Sequence, residues 1–278
     1  MRIHAIETGR VKIKAGQLEG RGHGIARQLR PLVDPEWSAW LPTYARAIEH
    51  NEGVMLVDTG ATTALKQLPA WHPFFRFALE FDIDAEQEIL PQLRGLGIGV
   101  TDVKKIFITH LHFDHDAGLA FFPSSEVYAR PSELARASGL AGRIRGYLPE
   151  RWPKAFDPKP LEFLGGPYGP FARSARLTQL GDVIAVPTPG HTPDHMSIIV
   201  DDGEIVFFLA GDVSYNAKNM IDGRIDGISP NEIVTISTLE LVRRFAQSRP
   251  IVFLPTHDPA SATRLAERQT VFLGSKNL

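Results

Sequence analysis

The 278-residue chain contains no cysteine, so it can form no disulfide and offers no thiolate to a metal ion. Structural zinc sites are usually closed and often rich in cysteine, so this absence weakens the case for a purely structural metal site. No apolar run approaches the roughly 20 residues of a transmembrane helix, and the first residues lack the apolar stretch of a signal peptide. We therefore expect a cytoplasmic protein that does not act at a membrane.

Excess charge is also lacking, because the formal net charge is only −2 at pH 7. A chain with no surplus of Lys and Arg is not expected to bind nucleic acid or another polyanion as its main ligand. No linker rich in Pro, Gly or Ser interrupts the sequence, and 43% of its residues are hydrophobic. Residues 1–278 are therefore predicted to form a single domain with a substantial core.

The chain does contain a dense polar cluster in residues 109–118, which read Thr-His-Leu-His-Phe-Asp-His-Asp-Ala-Gly. Three imidazoles and a carboxylate, His110, His112, Asp114 and His115, fall within six positions, and this spacing is typical of metal ligands. In an extended segment the first two share one side, and the other two can face a second ion. The alternative is a polar loop with surface histidines, but crowded imidazoles without an ion would be poorly satisfied.

Further candidate ligands follow short apolar runs that have the character of buried strands. Residues 104–109 lead into His110, residues 183–190 into His191, residues 204–211 into Asp212, and residues 251–256 into His257. Ligands at strand ends are held by the scaffold, as a defined coordination geometry requires. The sequence therefore predicts that one edge of a sheet core carries the whole site.

Strands and helices alternate along the chain. Residues 2–14 are interpreted as opening strands, and residues 44–59 as a hairpin with its turn at residues 51–53. With both sheet faces apolar, this alternation predicts an α/β fold in which two central sheets are flanked by helices.

Two helix starts are predicted from capping patterns. Residues 84–87 (Asp-Ala-Glu-Gln) indicate a helix that runs to about Leu96. Residues 229–232 (Ser-Pro-Asn-Glu) indicate a capping box with proline at the first helical position, and a helix that reaches Ser248.

These motifs resemble those of the metallo-β-lactamase-fold hydrolases. The matching residues are His110-Leu-His112-Phe-Asp114-His115, Gly190-His191-Thr-Pro, Gly211-Asp212 and Thr256-His257, in the family's order. Upstream, Val54-Met-Leu-Val-Asp58-Thr-Gly60 is similar to the family's early hairpin strand. The resemblance spans nearly the whole chain and implies an αββα four-layer sandwich.

Within that superfamily, Asp212-Val-Ser-Tyr215-Asn is similar to a segment of the N-acyl-homoserine lactone lactonases, which are quorum-quenching enzymes. In those enzymes a tyrosine three positions after the bridging aspartate reaches the substrate. The alternative is that Tyr215 only packs in the loop after Asp212.

The resemblance implies two divalent metal ions. His110, His112 and His191 would hold the first ion, Asp114, His115 and His257 the second, and Asp212 would bridge them. Two ions, two aspartates and a bridging hydroxide give a net charge of roughly +1, which lowers the pKa of bound water towards ~7 and stabilises an oxyanion. Zinc is the first candidate because the site is rich in imidazole, although manganese, iron and cobalt stay open.

The predicted reaction is the opening of an N-acyl-homoserine lactone or related small lactone by the bridging hydroxide. Tyr215 would donate a hydrogen bond to the carbonyl oxygen or to a substrate amide, and Asp114 would carry a proton to the leaving alkoxide. A homodimer is compatible with the sequence.

Several alternatives stay open at this point. A glyoxalase II-like thioesterase uses the same ligands but usually adds a C-terminal helical region, and only residues 258–278 follow the last ligand here. A phosphodiesterase or tRNA-processing nuclease would want more Arg and Lys. A β-lactamase is disfavoured by Asp212 as bridging ligand and by the lack of an export signal. Organophosphate hydrolysis is a conceivable side activity, and a non-catalytic metalloprotein is the alternative from another class.

Three further features near these motifs are interpreted as follows. Asp58 either orients a metal-bound histidine or serves as a turn residue before Gly60. His195 is left out of the ligand set because the corresponding histidine of the family is structural. The aromatic-rich residues 71–81 and 139–173 either fill core or line an apolar groove for an acyl chain.

Overall fold

The computed structural model describes residues 1–271, and the chain divides into two compact units. Unit 1 comprises Met1–Lys14 and Asp34–Leu161, and unit 2 comprises Ala15–Val33 and the residues from Glu162 onward. Each unit contains one β-sheet with its own helices. The expectation of a single domain over residues 1–278 stays a prediction.

The strands are β1 (Arg2–Ile13), β2 (Leu41–His50), β3 (Gly53–Val57), β4 (Leu79–Asp82), β5 (Val103–Phe107), β6 (Glu126–Ala129), β7 (Lys159–Pro160), β8 (Ala175–Arg176), β9 (Val183–Pro187), β10 (Met196–Asp201), β11 (Val206–Gly211) and β12 (Ile251–Pro255).

The α-helices are α1 (Ala15–Leu18), α2 (Gly24–Val33), α3 (Pro73–Phe77), α4 (Ile89–Gly95), α5 (Phe113–Asp116), α6 (Pro131–Ala137), α7 (Gly139–Ile144), α8 (Ala217–Asp222), α9 (Glu232–Ser248) and α10 (Ser261–Ala266). Short 3₁₀ turns occur at Thr63–Lys66, Ala85–Gln87, Val100–Asp102, Leu119–Phe121 and Pro149–Arg151. None of the helices in residues 1–271 is both long enough and apolar enough to cross a membrane.

Unit 1 is built on a seven-stranded sheet of order β4-β1-β2-β3-β5-β6-β7. Strands β1 to β4 pair antiparallel, and β3, β5, β6 and β7 pair parallel. The predicted hairpin is confirmed, because β2 and β3 pair in register up to His50 opposite Gly53. The predicted opening strands form the single long strand β1.

Unit 2 is built on a five-stranded sheet of order β12-β11-β10-β9-β8. Strand β10 pairs antiparallel with both β9 and β11, and β12 pairs parallel with β11. Strands β9, β11 and β12 therefore run in the same direction, and their carboxyl ends lie at the same edge of the sheet. This topology decides where the residues that follow these strands are placed.

The helix predicted from residues 84–87 is divided in the structure. Gln87 Oε1 does accept a hydrogen bond from the Asp84 backbone N–H at 2.9 Å, but this pair closes only a 3₁₀ turn. Glu88 is extended (φ −58°, ψ 155°), and its carboxylate accepts hydrogen bonds from the N–H and hydroxyl of Thr63. This contact interrupts the helix, so α4 begins one residue after Glu88.

The capping box predicted at residues 229–232 is wrong in its details. Asn231 is the N-cap of α9, and its side chain accepts a hydrogen bond from the backbone N–H three residues on. The hydroxyl of Ser229 donates instead to Asp226 Oδ2 at 2.7 Å, and the Glu232 carboxylate accepts from a backbone N–H at the start of α2. Both side chains of the predicted capping box therefore form hydrogen bonds outside α9. The predicted end of this helix is confirmed.

The aromatic residues predicted either to fill core or to line a groove are mostly packed inside the units. Tyr147 belongs to the core of unit 1, with Trp152 and Phe156 against it, and Phe171 belongs to the core of unit 2. Core filling is therefore the better interpretation for residues 139–173.

Residues 71–81 differ, because they mix buried and exposed rings. Phe75 is buried and contacts Phe113 edge-on with ring centroids 5.1 Å apart. Trp71 and Phe77 are 52% and 49% exposed. This segment therefore leaves apolar surface accessible, as the groove interpretation requires.

Candidate metal centre

Three of the predicted ligands lie at one edge of the unit 2 sheet. His191 follows β9 after a short Thr-Pro-Gly turn, Asp212 follows β11 directly, and His257 follows β12 after one residue. Because these strands run in the same direction, the three side chains are placed together. Asp212 Oδ2 lies 3.4 Å from His191 Nε2 and 3.3 Å from His257 Nε2.

All three of these side chains are buried, with at most 4% of each residue exposed. Two imidazole nitrogens thus lie close to the same carboxylate oxygen, and all three side chains are buried. Burying a carboxylate among imidazoles is costly unless the charges are balanced. A divalent cation would supply that balance, and imidazole with carboxylate is a donor set that fits such an ion.

His195 braces this cluster from behind. Its Nε2 accepts a hydrogen bond from the Asp212 backbone N–H at 3.0 Å, and its Nδ1 lies 2.8 Å from the hydroxyl of Thr188. Both ring nitrogens are therefore engaged within the fold. This placement agrees with leaving His195 out of the predicted ligands.

Asp226 is a functional candidate that sequence reasoning missed. Its Oδ2 lies 3.3 Å from His191 Nδ1, so the carboxylate orients the ring and leaves Nε2 as the candidate ligand atom. Burial opposes ionisation of this carboxyl, but hydrogen bonds from His191 and Ser229 hold the pKa of Asp226 below its usual range. No apolar run precedes Asp226, so the sequence carries no signal for it.

Tyr215 is buried next to the same ligands. Its ring centroid lies 5.4 Å from that of His257 and 5.9 Å from that of His191. Its hydroxyl oxygen accepts a hydrogen bond from Gln17 Nε2 at 2.9 Å. Gln17 lies on α1 and is likewise a residue that the sequence motifs did not indicate.

The remaining four predicted ligands lie together in unit 1, after β5. His110 and His112 occupy an extended stretch, and Asp114 and His115 belong to the single turn α5. His110 Nε2 lies 3.0 Å from His112 Nδ1, and the rings of His110 and His115 are 4.1 Å apart between centroids. The nitrogens of His110 and His112 are therefore close enough to bind the same ion.

Asp58 orients two of these histidines, which decides between its two interpretations. Its Oδ2 accepts a hydrogen bond from His115 Nδ1 at 2.8 Å and another from the Thr109 hydroxyl at 2.9 Å. That hydroxyl in turn lies 3.1 Å from His110 Nδ1. Nε2 is therefore the candidate ligand atom of both rings. Asp58 is held at φ 61°, a left-handed conformation that aspartate tolerates better than most residues.

Glu133 supports the backbone between the first two histidines. Its Oε1 accepts hydrogen bonds from the Leu111 N–H at 3.2 Å and from the Tyr147 hydroxyl at 3.1 Å. The Tyr147 ring also packs 5.2 Å from that of His112. Burial, followed by the negative charge of Glu133, raises the pKa of Tyr147 well above its usual value. Tyr147 therefore stays a neutral donor.

Asp116 closes the α5 turn and is a further buried carboxyl. The indole N–H of Trp152 donates to its Oδ2 at 2.7 Å. Burial raises the pKa of Asp116 to about 8, and the Trp152 hydrogen bond opposes this rise only in part. One aromatic residue of the 139–173 insertion thus has a specific role in bracing the ligand-bearing turn.

Comparison with known proteins places these motifs in a family. A family model described as the metallo-beta-lactamase superfamily matches residues 39–266. A probable metallo-hydrolase of Mycobacterium tuberculosis is 31% identical over 220 residues, which are 76% of this chain and 70% of the relative. The N-acyl homoserine lactonase AttM of Agrobacterium fabrum is 24% identical over 269 residues, which are 93% of this chain and 94% of the relative.

A solved structure has a similar fold. It is an N-acyl homoserine lactone hydrolase with the product N-hexanoyl-L-homoserine bound at its catalytic metal centre. The similarity has a TM-score of 0.72 at 19% sequence identity and covers 98% of this chain and 96% of the other. At this identity the similarity concerns the fold.

Proposed function

Because the chain belongs to the metallo-beta-lactamase superfamily, we propose that it is a dinuclear metal-dependent lactonase that opens a small lactone such as an N-acyl-homoserine lactone. Membership in this family confirms the resemblance found in the sequence, the α/β fold with two sheets flanked by helices, and the prediction of a metal-dependent hydrolase. The substrate, the number of ions and the roles of the residues are the proposal.

The observation that carries the proposal is the placement of Asp212 and Tyr215 in unit 2. One carboxylate oxygen of Asp212 lies within 3.4 Å of two buried imidazole nitrogens, those of His191 and His257. Three residues later, Tyr215 packs against both of those rings. This combination of a bridging carboxylate and an adjacent phenol suits a neutral ester substrate, which needs a donor for its carbonyl oxygen.

The proposed ligand assignment keeps all seven residues of the sequence prediction. His110, His112 and His191 would hold the first ion, Asp114, His115 and His257 would hold the second, and Asp212 would be shared between them. Zinc is the first candidate because the donors are mainly imidazole nitrogens. The chemistry that such ions would supply is hydroxide at neutral pH and polarisation of the ester carbonyl.

The protein's own residues orient the substrate and move the proton. Gln17 donates to the Tyr215 hydroxyl oxygen, so the hydroxyl hydrogen is directed elsewhere and can bind the lactone carbonyl or a substrate amide. As hydroxide adds to the carbonyl carbon and the ring C–O bond breaks, Asp114, which is buried beside His115, would accept the proton of the added hydroxide and deliver it to the alkoxide oxygen that is released. A homodimer and a cytoplasmic location stay predictions.

The decisive experiment is a substrate panel on the zinc-loaded full chain. It comprises acyl-homoserine lactones, simple γ- and δ-lactones, S-lactoylglutathione, a cephalosporin and bis-p-nitrophenyl phosphate. We expect the highest kcat/KM on a lactone, and the Asp212→Asn variant serves as the control for contaminating activity. A highest kcat/KM on S-lactoylglutathione would instead indicate a glyoxalase II-like thioesterase, and one on the phosphodiester would indicate a phosphoester hydrolase.

A further inference from the structure

Helix α2 buries an arginine while it exposes aliphatic side chains. Arg27 is only 1% exposed, whereas Ile25 and Leu29 on the same helix are 74% and 54% exposed. Arginine is almost never fully buried unless its charge and donors are paired. The hydrogen-bond partners of Arg27 therefore explain why α2 turns Arg27 inward and leaves Ile25 and Leu29 exposed.

The Arg27 guanidinium holds one short turn of unit 2. One terminal nitrogen donates to the Asp226 carbonyl oxygen, and the other donates to the Ser229 carbonyl oxygen at 2.5 Å. Its Nε lies 3.4 Å from the Glu232 carboxylate, which balances the buried charge. A planar fork of donors is required to reach two carbonyl groups at fixed positions, and lysine has no such fork.

This turn sets the direction of the Asp226 carboxylate. Its Oδ1 accepts hydrogen bonds from the backbone N–H groups of Ile228 at 2.8 Å and Ser229 at 2.6 Å. Its Oδ2 accepts from the Ser229 hydroxyl and faces His191 Nδ1. The position of the carboxylate relative to His191 therefore depends on the geometry of the turn.

Helix α1 approaches the same turn from another side. The Gly227 N–H donates to the Gln17 carbonyl oxygen at 2.8 Å. A Cβ atom at Gly227 would lie 2.0 Å from the Gly16 carbonyl oxygen, so the two backbones are in close contact. The turn is thus clamped between α1 and the Arg27 side chain.

We propose that Arg27 is a positioning residue of the metal centre, which acts through Asp226 on the ligand His191. The inference rests on the proposed function only in so far as His191 binds a metal ion. A carboxylate on the distal nitrogen of a metal-bound histidine fixes its tautomer and ring direction, and loss of such a contact typically weakens metal affinity by about 10- to 100-fold. Arg27 keeps that carboxylate in place without touching the ion or the substrate.

The test measures zinc affinity of the full chain by competition with a chromophoric chelator. We expect Arg27→Lys to lower the affinity for one of the two zinc ions by about tenfold or more. Ser229→Ala, a smaller change that removes one hydrogen bond to Asp226, should weaken the same ion. The control is Arg249→Gln, since Arg249 pairs with Asp201 at 2.9 Å and contacts no proposed ligand. It should lower Tm and leave zinc affinity unchanged.

A double-mutant cycle separates positioning from general stabilisation. If Arg27 acts through Asp226, the Arg27→Lys/Asp226→Asn protein should bind zinc as weakly as Asp226→Asn alone. Unchanged zinc affinity in Arg27→Lys and Ser229→Ala, or additive effects in the cycle, would overturn the inference. A wild-type chain that binds no divalent ion would overturn the proposed metal centre as well. If the double-mutant cycle shows non-additive effects on zinc affinity but the protein hydrolyses no lactone, this inference stands and only the proposed substrate is refuted.

Discussion

The Nδ1 atom of His115 lies 2.8 Å from Asp58 Oδ2, and this contact makes the opposite nitrogen of the ring the candidate ligand atom. His191 in unit 2 has the same kind of partner in Asp226. Each unit therefore supplies at least one histidine whose tautomer is fixed by a buried carboxylate.

Replacing Asp58 with Asn should weaken metal binding by about 10- to 100-fold. Asparagine keeps the shape of the side chain and tolerates the left-handed backbone, but in either orientation its amide replaces one of the two acceptor oxygens with an NH₂ group. Asparagine therefore cannot accept all the hydrogen bonds that Thr109 and His115 donate to Asp58. Chelator competition measures the affinity. Asp102→Asn is the matched control, because Asp102 only accepts a bond from Gly99 in an exposed turn. Equal zinc affinity in both variants would contradict the orienting role.

Replacing Tyr215 with Phe should lower kcat/KM on lactones by roughly tenfold or more, as expected for a lost hydrogen-bond donor. Zinc content should stay the same, because the hydroxyl is not a proposed ligand. Tyr168→Phe is the control, since that hydroxyl bonds to Asp201 in the same unit. Unchanged lactone kinetics in Tyr215→Phe would remove this residue from the mechanism.

Replacing Gln17 with Leu should lower kcat/KM by about two- to tenfold, because the Tyr215 hydroxyl loses the donor that orients it. The effect should vanish when Tyr215 is already Phe, which a double-mutant cycle on lactone hydrolysis would detect. Gln28→Leu on α2 is the control, because its amide only contacts the Pro230 carbonyl. Equal losses in both Tyr215 backgrounds would assign Gln17 a purely structural role.

Removing the metal with a chelator should abolish turnover while much of the fold is retained. Each unit has its own hydrophobic core, so the described elements do not depend on the ions alone. Far-UV circular dichroism and lactone turnover, followed on the same sample, provide the measurement, and added zinc should restore activity. Cooperative unfolding on chelation would indicate a structural metal site.

Replacing Asn231 with Ala should reduce stability by about 0.5–2 kcal/mol, because α9 loses its N-cap hydrogen bond. Zinc affinity should not change, since this side chain does not contact Asp226. Denaturant unfolding of the apo protein measures the stability. A loss of zinc affinity without loss of stability would show that Asn231 belongs to the Asp226 turn and not to the helix cap.

The family could be predicted, and candidate ligands could be named, because their signals are local. The cluster from His110 to His115 is contiguous, and His191, Asp212 and His257 each follow an apolar strand whose pattern is visible over a few residues. The hairpin of β2 and β3 and the end of α9 are local in the same sense.

The supporting contacts were decided only by the tertiary structure, because their partners are remote along the chain. Gln17 lies 198 residues from Tyr215, Arg27 lies 199 residues from Asp226, and Asp58 lies 57 residues from His115. For the same reason the N-cap of α9 is Asn231 and not the predicted Ser229, because the Ser229 hydroxyl donates to the buried Asp226 carboxylate. A sequence pattern records which side chains can bind a metal. Which buried donors and acceptors hold those side chains depends on how distant segments satisfy one another's hydrogen bonds once water is excluded.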